Sequence, residues 1–144
     1  MDEAAARAAF DTALGSYKQE FGTFFLARLF GLEITYEKDA CLVRFPVRDF
    51  AFNQQGSLHG GVAAFAMDIS MGHLLKHTYG VQGATLEIKV QYLRPIREPE
   101  CHCRGVFLGR GRSLCFLESR LYDATGELCA VATSTWKVGT AKPA

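Results

Sequence analysis

The strongest constraint on the fold is an apolar segment over about residues 60–78, which predicts one long helix. Its apolar side chains cover almost the whole circumference of that helix: Val62, Ala63, Ala64, Phe65, Ala66, Met67, Ile69, Met71, Leu74 and Leu75. A helix that is apolar on every side is expected in a protein core rather than on a surface. The rest of the chain must therefore wrap around it.

Two segments near this helix have the pattern of β-strands. Residues 32–47 give two short extended runs broken at Lys38-Asp39, which indicates a β-hairpin. In residues 84–92 apolar and polar side chains alternate, which predicts a strand with one solvated face. The apolar set is Ala84, Leu86, Ile88, Val90 and Tyr92, and the polar set is Thr85, Glu87, Lys89 and Gln91.

Residues 101–138 supply three more β-rich runs, separated by turn residues at 109–111 and 123–126. Together the runs predict an α+β fold. It consists of one antiparallel sheet of five or six strands, with the long helix inserted after the second strand and enclosed by the sheet.

The N-terminal residues 1–30 predict a helical extension. Residues 2–14 are rich in alanine, the strongest helix former. Residues 21–32 repeat apolar side chains at roughly helical spacing, which suggests a second amphipathic segment packed on the core. A chain of 144 residues is the size of one domain. We therefore expect a single domain, 1–144, with its core at 31–138.

Composition argues against several partners and locations. The formal net charge of +1 gives no electrostatic basis for binding nucleic acid. No segment reaches the roughly 18 apolar residues of a membrane span. The start, MDEAAARAAF, is acidic where a secretory signal would be basic and then apolar. We therefore expect a cytoplasmic protein without a membrane or nucleic-acid partner.

The five cysteines are Cys41, Cys101, Cys103, Cys115 and Cys129. None of them has the C-x-x-C spacing of a zinc site, so we expect reduced, packed thiols. The Cys-His-Cys step at 101–103 suggests a metal, but on a strand His102 would point away from both sulfurs. The sequence therefore predicts no metal site.

Asp68 is an unexpected residue in the predicted core helix. Burying an isolated ionised carboxylate in an apolar interior costs roughly several kcal/mol of free energy, unless the group takes up a proton and becomes neutral. Steps of four residues place it on a stripe with small neighbours: Gly60, Ala64, Asp68, Gly72 and Lys76. Something is therefore expected to approach the helix closely along that stripe. Asp68 is either functional or a structural partner of a neighbouring element or of Lys76.

Gly60 and Gly61 stand where this helix begins. The first backbone N–H groups of a helix have no partner and carry the positive end of its dipole. Without side chains to shield them, these donors form a site for an anion or an oxyanion, such as that of an acyl-transfer intermediate. Alternatively, the two glycines only permit a tight turn into the helix.

The stretches FNQQGSLHGGVAAFAMD and GATLEIKVQYLRP resemble the hotdog-fold thioesterases of the phenylacetate-degradation type. The resemblance runs from about Leu32 to Val138. It implies a sheet wrapped around a central helix and hydrolysis of acyl-coenzyme A thioesters. No cofactor is implied, because coenzyme A is part of the substrate.

The resemblance also implies roles for individual residues. Asn53 would help to place the substrate or a water, the Gly60 N–H would polarise the thioester carbonyl, and Thr85 would orient the water. Asp68 would be the general base or the nucleophile. Further substrate contacts are expected from His59, Gly61, Arg94, Arg97, Arg110 and Arg112, the four arginines through the coenzyme A phosphates.

Gly60 and Asp68 lie about 12 Å apart along one helix, too far for one carbonyl to touch both. Hotdog proteins pair as dimers with their helices side by side. The resemblance therefore implies a homodimer, or a dimer of dimers, in which Asp68 of one subunit faces Gly60 of the other.

Two other functions remain open. A hydratase or dehydratase of the same fold would use Asp68 with His73, but the two lie roughly 140° apart on a helix and would not converge on one substrate atom. A non-catalytic module that binds acyl thioesters is the second alternative. The numerous phenylalanines would suit an aromatic or medium-length acyl group, although each also suits a core.

Overall fold

A computed structural model of the chain describes residues 1–97 and 99–141. The helices are α1 (Glu3–Ser16), α2 (Phe25–Leu29) and α3 (Gly60–Tyr79), with a short 3-10 helix at Asp49–Ala51. The strands are β1 (Glu33–Glu37), β2 (Ala40–Pro46), β3 (Gly83–Tyr92), β4 (Glu100–Arg110), β5 (Leu114–Asp123) and β6 (Leu128–Val138). This order confirms the predicted arrangement of one long helix inserted after the second strand.

The six strands form one antiparallel sheet in the order β1-β2-β4-β5-β6-β3. β1 and β2 pair from Glu33 opposite Arg44 to Glu37 opposite Ala40, so the hairpin turn predicted at Lys38-Asp39 is confirmed. β3 follows the long helix and joins the far end of the sheet, beside β6. Among the described strands, β1 and β3 are therefore the two edges.

The central helix α3 packs into the core. Ala66, Met67, Met71 and Leu75 are fully buried, in one cluster with side chains of β2, β4, β5 and β6. The helix ends at Gly80, whose φ of 72° is left-handed and favours glycine. Ala64 and Asp68, on the small-residue stripe, are only partly buried. One side of α3 is therefore still accessible in the single chain.

The edge strand β3 contains a β-bulge that the sequence pattern does not reveal. The pairing with β6 shifts between Thr85 and Glu87, so that Leu86 is the extra residue. Leu86 is 56% exposed, whereas the Thr85 side chain reaches α3. The prediction that Leu86 lies on the buried face was therefore wrong, whereas Thr85 is exposed in the single chain, as predicted, although its side chain bonds α3. A bulge inserts one residue and so reverses the side-chain alternation on one side of it.

The N-terminal extension is helical, but less regularly than predicted. α1 packs on α2 through an edge-to-face contact between Phe10 and Phe25, with ring centroids 5.4 Å apart. The second helix covers only Phe25–Leu29, so the prediction of a helical segment that begins at Phe21 was wrong. Gly22 has a φ of 91°, and this left-handed residue keeps the preceding segment out of the helix.

All five cysteines are buried and reduced, as predicted. On β4 the side chains alternate, so Cys101 and Cys103 point into the core while the His102 ring stacks on Tyr122 at a centroid distance of 5.4 Å. In the described part of the chain, no helix combines the length and apolarity that crossing a membrane requires.

Candidate active site

The predicted catalytic residues line two separate clefts. Gly60 and Asn53 line a cleft of about 460 Å³, called here the Gly60 cleft. Asp68 and Thr85 line another of about 230 Å³, called here the Asp68 cleft. The eight-residue spacing along α3 keeps the two apart, as the helix geometry predicts. Within one chain the predicted catalytic residues therefore do not meet, and each cleft, called here a half-site, holds only part of the predicted set.

His59 arranges the donors at the start of α3. It is the N-cap residue, and its Nδ1 accepts a hydrogen bond of 2.9 Å from the Gly61 N–H. The N–H groups of Val62 and Ala63 donate to the His59 carbonyl. Among the described residues, no acceptor takes the Gly60 N–H. Of the two glycines, Gly60 therefore offers the free donor, while the Gly61 N–H is already bound.

Tyr92, at the end of β3, secures the same helix start. Its hydroxyl donates a hydrogen bond of 2.6 Å to the Gly60 carbonyl. A Cβ added at Gly60 would lie 3.1 Å from the Tyr92 ring, a tight contact that only a small shift of the ring would relieve, so the close approach favours glycine. The alternation in residues 84–92 predicted Tyr92 only as an apolar strand residue, not as a contact of the helix start. A phenol that ends the apolar face of a strand needs a polar partner, and that need was the available signal.

Asn53 shapes the loop before α3. Its Oδ1 accepts hydrogen bonds from the backbone N–H groups of Gln55, at 2.9 Å, and Ser57, at 3.3 Å. The loop is also tied to the Ile96 carbonyl by the Leu58 N–H at 2.8 Å. Asn53 therefore holds the wall of the Gly60 cleft in place. Any contact with substrate stays a prediction.

Asp68 is a half-buried carboxylate with one polar partner from the sheet. Thr85 Oγ1 donates a hydrogen bond of 2.8 Å to Asp68 Oδ1. Burial raises the pKa of Asp68, and the Thr85 hydrogen bond offsets part of that rise. The alternative partner, Lys76, instead lies with its Nζ 4.3 Å from the Phe21 ring centroid. The carboxylate is thus available on the wall of the Asp68 cleft.

His73 also lies on the wall of the Asp68 cleft, although the helix angle predicted that the two would diverge. Its ring is only 4% exposed, and its Nδ1 lies 2.8 Å from the Tyr36 hydroxyl. The Nε2 is buried, and no described residue bonds it. Burial lowers the pKa of His73 to about 4. A neutral, sealed imidazole is poorly placed to act on a substrate as a dehydratase histidine must.

The four predicted phosphate-binding arginines do not converge. Arg94 lines the Gly60 cleft and lies 3.7 Å from Glu127. Arg110, at the end of β4, stacks its guanidinium on Phe107 and lines a different pocket. Arg97 and Arg112 are exposed. Of the four, only Arg94 is a described wall residue of either half-site.

Structural comparison identifies the fold. A Bacillus halodurans protein solved with CoA superposes with a TM-score of 0.88 at 22% identity, over 98% of this chain and 95% of that chain. A candidate thioesterase of Ralstonia eutropha, related to phenylacetic acid degradation, superposes with a TM-score of 0.73 at 25% identity, over 78% of this chain and 89% of that chain. The chain therefore has the hotdog fold of thioesterases, as predicted.

Sequence comparison identifies the family. The thioesterase superfamily matches residues 55–130, which include Gly60, Asp68 and Thr85. A candidate esterase of Saccharolobus solfataricus is 32% identical over 95 residues, which cover 62% of this chain and 63% of that protein. The match thus spans less than two thirds of that relative's length. The chain belongs to the thioesterase superfamily.

Proposed function

We propose that the protein hydrolyses the thioester bond of acyl-coenzyme A substrates with an aromatic or medium-length acyl group. The observation that carries the proposal is the pair of half-sites. One offers an unbonded backbone N–H at a helix start, and the other offers a carboxylate whose pKa is raised by burial. An oxyanion donor and a general base are the two groups that acyl transfer to water requires.

The two half-sites are completed by a second copy of the chain. Edge strand β3 passes both clefts, with Thr85 beside Asp68 and Tyr92 beside Gly60. Antiparallel pairing of β3 with the β3 of a partner subunit would place a two-fold axis between the clefts. Asp68 of one subunit would then face Gly60 of the other. The partly buried stripe at Ala64 supports such a neighbour.

The proposed reaction consumes one water. The Asp68 carboxylate accepts a proton as the water oxygen attacks the thioester carbon, and Thr85 holds the carboxylate in position. The Gly60 N–H stabilises the negative oxygen of the tetrahedral intermediate, worth about 3 to 4 kcal/mol in comparable sites. The carbon–sulfur bond then breaks, and the coenzyme A thiolate takes up the proton. The products are a carboxylic acid and free coenzyme A.

A covalent route uses the same residues. Asp68 would attack the thioester carbon itself, expel the coenzyme A thiolate and form a mixed anhydride, which water then hydrolyses. The two routes differ in the source of the new oxygen in the released carboxylic acid, which is water in the base route and the Asp68 carboxylate in the covalent route. In a single turnover in ¹⁸O-labelled water, the base route labels the released acid, whereas attack of water on the Asp68 carbonyl of the anhydride leaves the first acid unlabelled.

The coenzyme A moiety is proposed to lie at the Gly60 cleft, where Arg94 is a wall residue. The Bacillus halodurans protein of the same fold, solved with CoA, supports this class of ligand. Arg97, Arg110 and Arg112 are retained only as outer contacts for the phosphates, because none of them lines either half-site. Charge reversal at Arg94 should raise KM for coenzyme A thioesters more than for a pantetheine thioester.

The test is a panel of acyl-coenzyme A thioesters of varied length and aromaticity, assayed with the wild type and Asp68→Asn. Loss of the base should lower kcat by about 10² to 10⁴-fold. Asp11→Asn, on the exposed surface of α1, is the matched control and should keep full activity. Binding of the panel with no hydrolysis by the wild type would instead favour a non-catalytic acyl-thioester module. Undiminished turnover in Asp68→Asn would remove Asp68 from the mechanism.

A further inference from the structure

The segment between α1 and α2 lies against the Asp68 cleft. Its backbone folds back on itself through a hydrogen bond of 2.9 Å from the Lys18 N–H to the Thr23 carbonyl. Gly22 lies so close to the central helix that an added Cβ would be 3.0 Å from Cε1 of His73. The N-terminal extension thus delivers one side chain, Phe21, to the half-site.

Phe21 is held by two residues of α3. Its ring stacks on His73 with centroids 4.1 Å apart and planes inclined by 26°. Lys76 Nζ lies 4.3 Å from the Phe21 ring centroid, which is a favourable cation–π geometry. Both contacts lie one to two helical turns beyond Asp68. They fix the phenyl ring over the part of the cleft farthest along the helix.

The walls of the Asp68 cleft divide into rigid and movable ones. Trp136 of β6 lies against α3 so tightly that a Cβ at Gly72 would be 2.7 Å from its ring. This indole and the backbone of α3 form a wall that cannot give way. Of the described residues lining the cleft, only Phe21 comes from outside α3 and the sheet. Phe21 is therefore the one described wall residue whose backbone belongs to the N-terminal segment.

This end of the cleft suits an acyl group rather than the pantetheine arm. Apart from Asp68 and Thr85, the described lining consists of apolar side chains, two glycines and His73, whose Nδ1 is already engaged by Tyr36. The amides of pantetheine would lose their hydrogen bonds to water there, which opposes their burial. An apolar acyl chain loses nothing. A cavity of about 150 Å³ is known to hold benzene, so about 230 Å³ holds one ring or a short chain.

We propose that Phe21 forms the end wall of the acyl pocket and sets the longest acyl group that the enzyme accepts. This rests on the proposed thioesterase function and assigns its specificity to the N-terminal extension, outside the residues that match the superfamily. Removing the ring opens the cleft toward solvent under the 18–23 loop. Longer chains then pass Asp68 without clashing, while short chains bind as before.

The experiment measures kcat/KM over a series of straight-chain acyl-coenzyme A thioesters for the wild type, Phe21→Leu and Phe21→Ala. The ratio of long-chain to short-chain kcat/KM should rise by about tenfold or more in Phe21→Ala, which is what one methylene can discriminate in an apolar pocket. Phe21→Leu should give a smaller rise in the same direction. Phe10→Ala is the matched control. It removes a ring of the same extension that packs on Phe25 rather than on the cleft.

The outcomes separate the two proposals. If the wild type hydrolyses the series and both Phe21 variants keep its chain-length dependence of kcat/KM, Phe21 is not the end wall of the acyl pocket. The proposed thioesterase function would then still stand. A wild type that hydrolyses neither this series nor an aromatic acyl-coenzyme A thioester would overturn both. If Phe21→Ala unfolds at the assay temperature, Phe21→Leu alone decides: an unchanged profile in that variant overturns the end wall. A shift in Phe10→Ala equal to that of Phe21→Ala would also overturn it.

Discussion

Thr85 Oγ1 donates a hydrogen bond of 2.8 Å to Asp68 Oδ1, which joins the edge strand of the sheet to the central helix. The bond exists because the bulge at Leu86 turns the Thr85 side chain inward. It also acts on the chemistry of the carboxylate. Burial raises the pKa of Asp68, and this hydrogen bond lowers it, so the bond keeps the carboxylate ionised over a wider pH range.

Thr85→Val should therefore shift the acid limb of the pH–activity profile. Without the donor, the pKa of Asp68 rises further, and the ionised base is lost at a higher pH as the solution is acidified. The measurement is kcat/KM against pH for both proteins. Thr133→Val, at an exposed position of β6, is the matched control and should keep the wild-type profile. An acid limb at the same pH in Thr85→Val would mean that the bond does not tune the base.

His73 should make the stability of the protein depend on pH. Burial lowers its folded pKa to about 4, below the 6.5 of an exposed histidine. The unfolded chain then binds the proton more readily, so stability is full above pH 6.5 and falls as the pH drops toward about 4. The loss over that window is about 3 kcal/mol, from roughly 1.4 kcal/mol per pKa unit.

Urea unfolding at several pH values, for the wild type and His73→Asn, measures this dependence. Asparagine can keep the contact that Nδ1 makes with Tyr36 but cannot take up a proton. The difference between the two proteins should therefore shrink as the pH falls. His102→Asn, whose ring is only partly buried, controls for a change of net charge. A constant difference across the window would contradict the assigned role of His73.

Gly72 should tolerate no side chain. An added Cβ would lie 2.7 Å from the Trp136 ring, and a packed indole cannot move aside. Gly72→Ala should lower the free energy of unfolding by about 1 to 3 kcal/mol, the usual cost of overpacking. Gly15→Ala, near the end of α1 with open space around it, should be neutral or stabilising by up to about 1 kcal/mol. Equal effects of the two substitutions on unfolding in urea would show that the contact with Trp136 costs nothing.

The overall fold could be predicted from short-range patterns. The apolar run of residues 60–78 required a core helix, and the two-residue periods required strands. Both patterns depend only on residues close together in the sequence, and the structure confirms the helix and the strands that they predicted. The separation of Gly60 and Asp68 was equally predictable, because the rise of a helix fixes it.

What could not be predicted depends on contacts between distant segments. The alternation in residues 84–92 cannot reveal a bulge, because pairing with β6 creates it. The stacking of Phe21 on His73 joins residues 52 positions apart, and nothing local marks that pair. The role of the arginines stays a prediction. Their positions at strand ends and turns do not reveal which of them line a cleft, and in the structure Arg94 lines the Gly60 cleft whereas Arg110 lines a different pocket.

In the proposed dimer, each active site combines Gly60 of one subunit with Asp68 of the other. Gly60→Pro removes the N–H donor, and Asp68→Asn removes the base. Each variant alone should be nearly inactive. Circular dichroism and gel filtration must show that both fold and associate, because a proline ring at position 60 would also crowd Tyr92.

A second experiment places both substitutions, Gly60→Pro and Asp68→Asn, in one chain and mixes this double variant with the wild type. An equal mixture of the double variant with the wild type holds about half of full activity before exchange. Random exchange leaves only about a quarter of the dimers wholly wild-type. If sites are shared, every mixed dimer is inactive, and activity falls to about a quarter of full. If each chain carries its own site, activity stays at about half.

The most direct measurement is the activity of an equal mixture of Gly60→Pro and Asp68→Asn after complete subunit exchange, verified with labelled chains. Random pairing makes about half of all dimers mixed, and each mixed dimer holds one intact site and one with both lesions. The shared-site account predicts recovery of about a quarter of wild-type activity. Complete exchange without recovered activity would contradict it, and Gly60 and Asp68 would then not act together across the dimer.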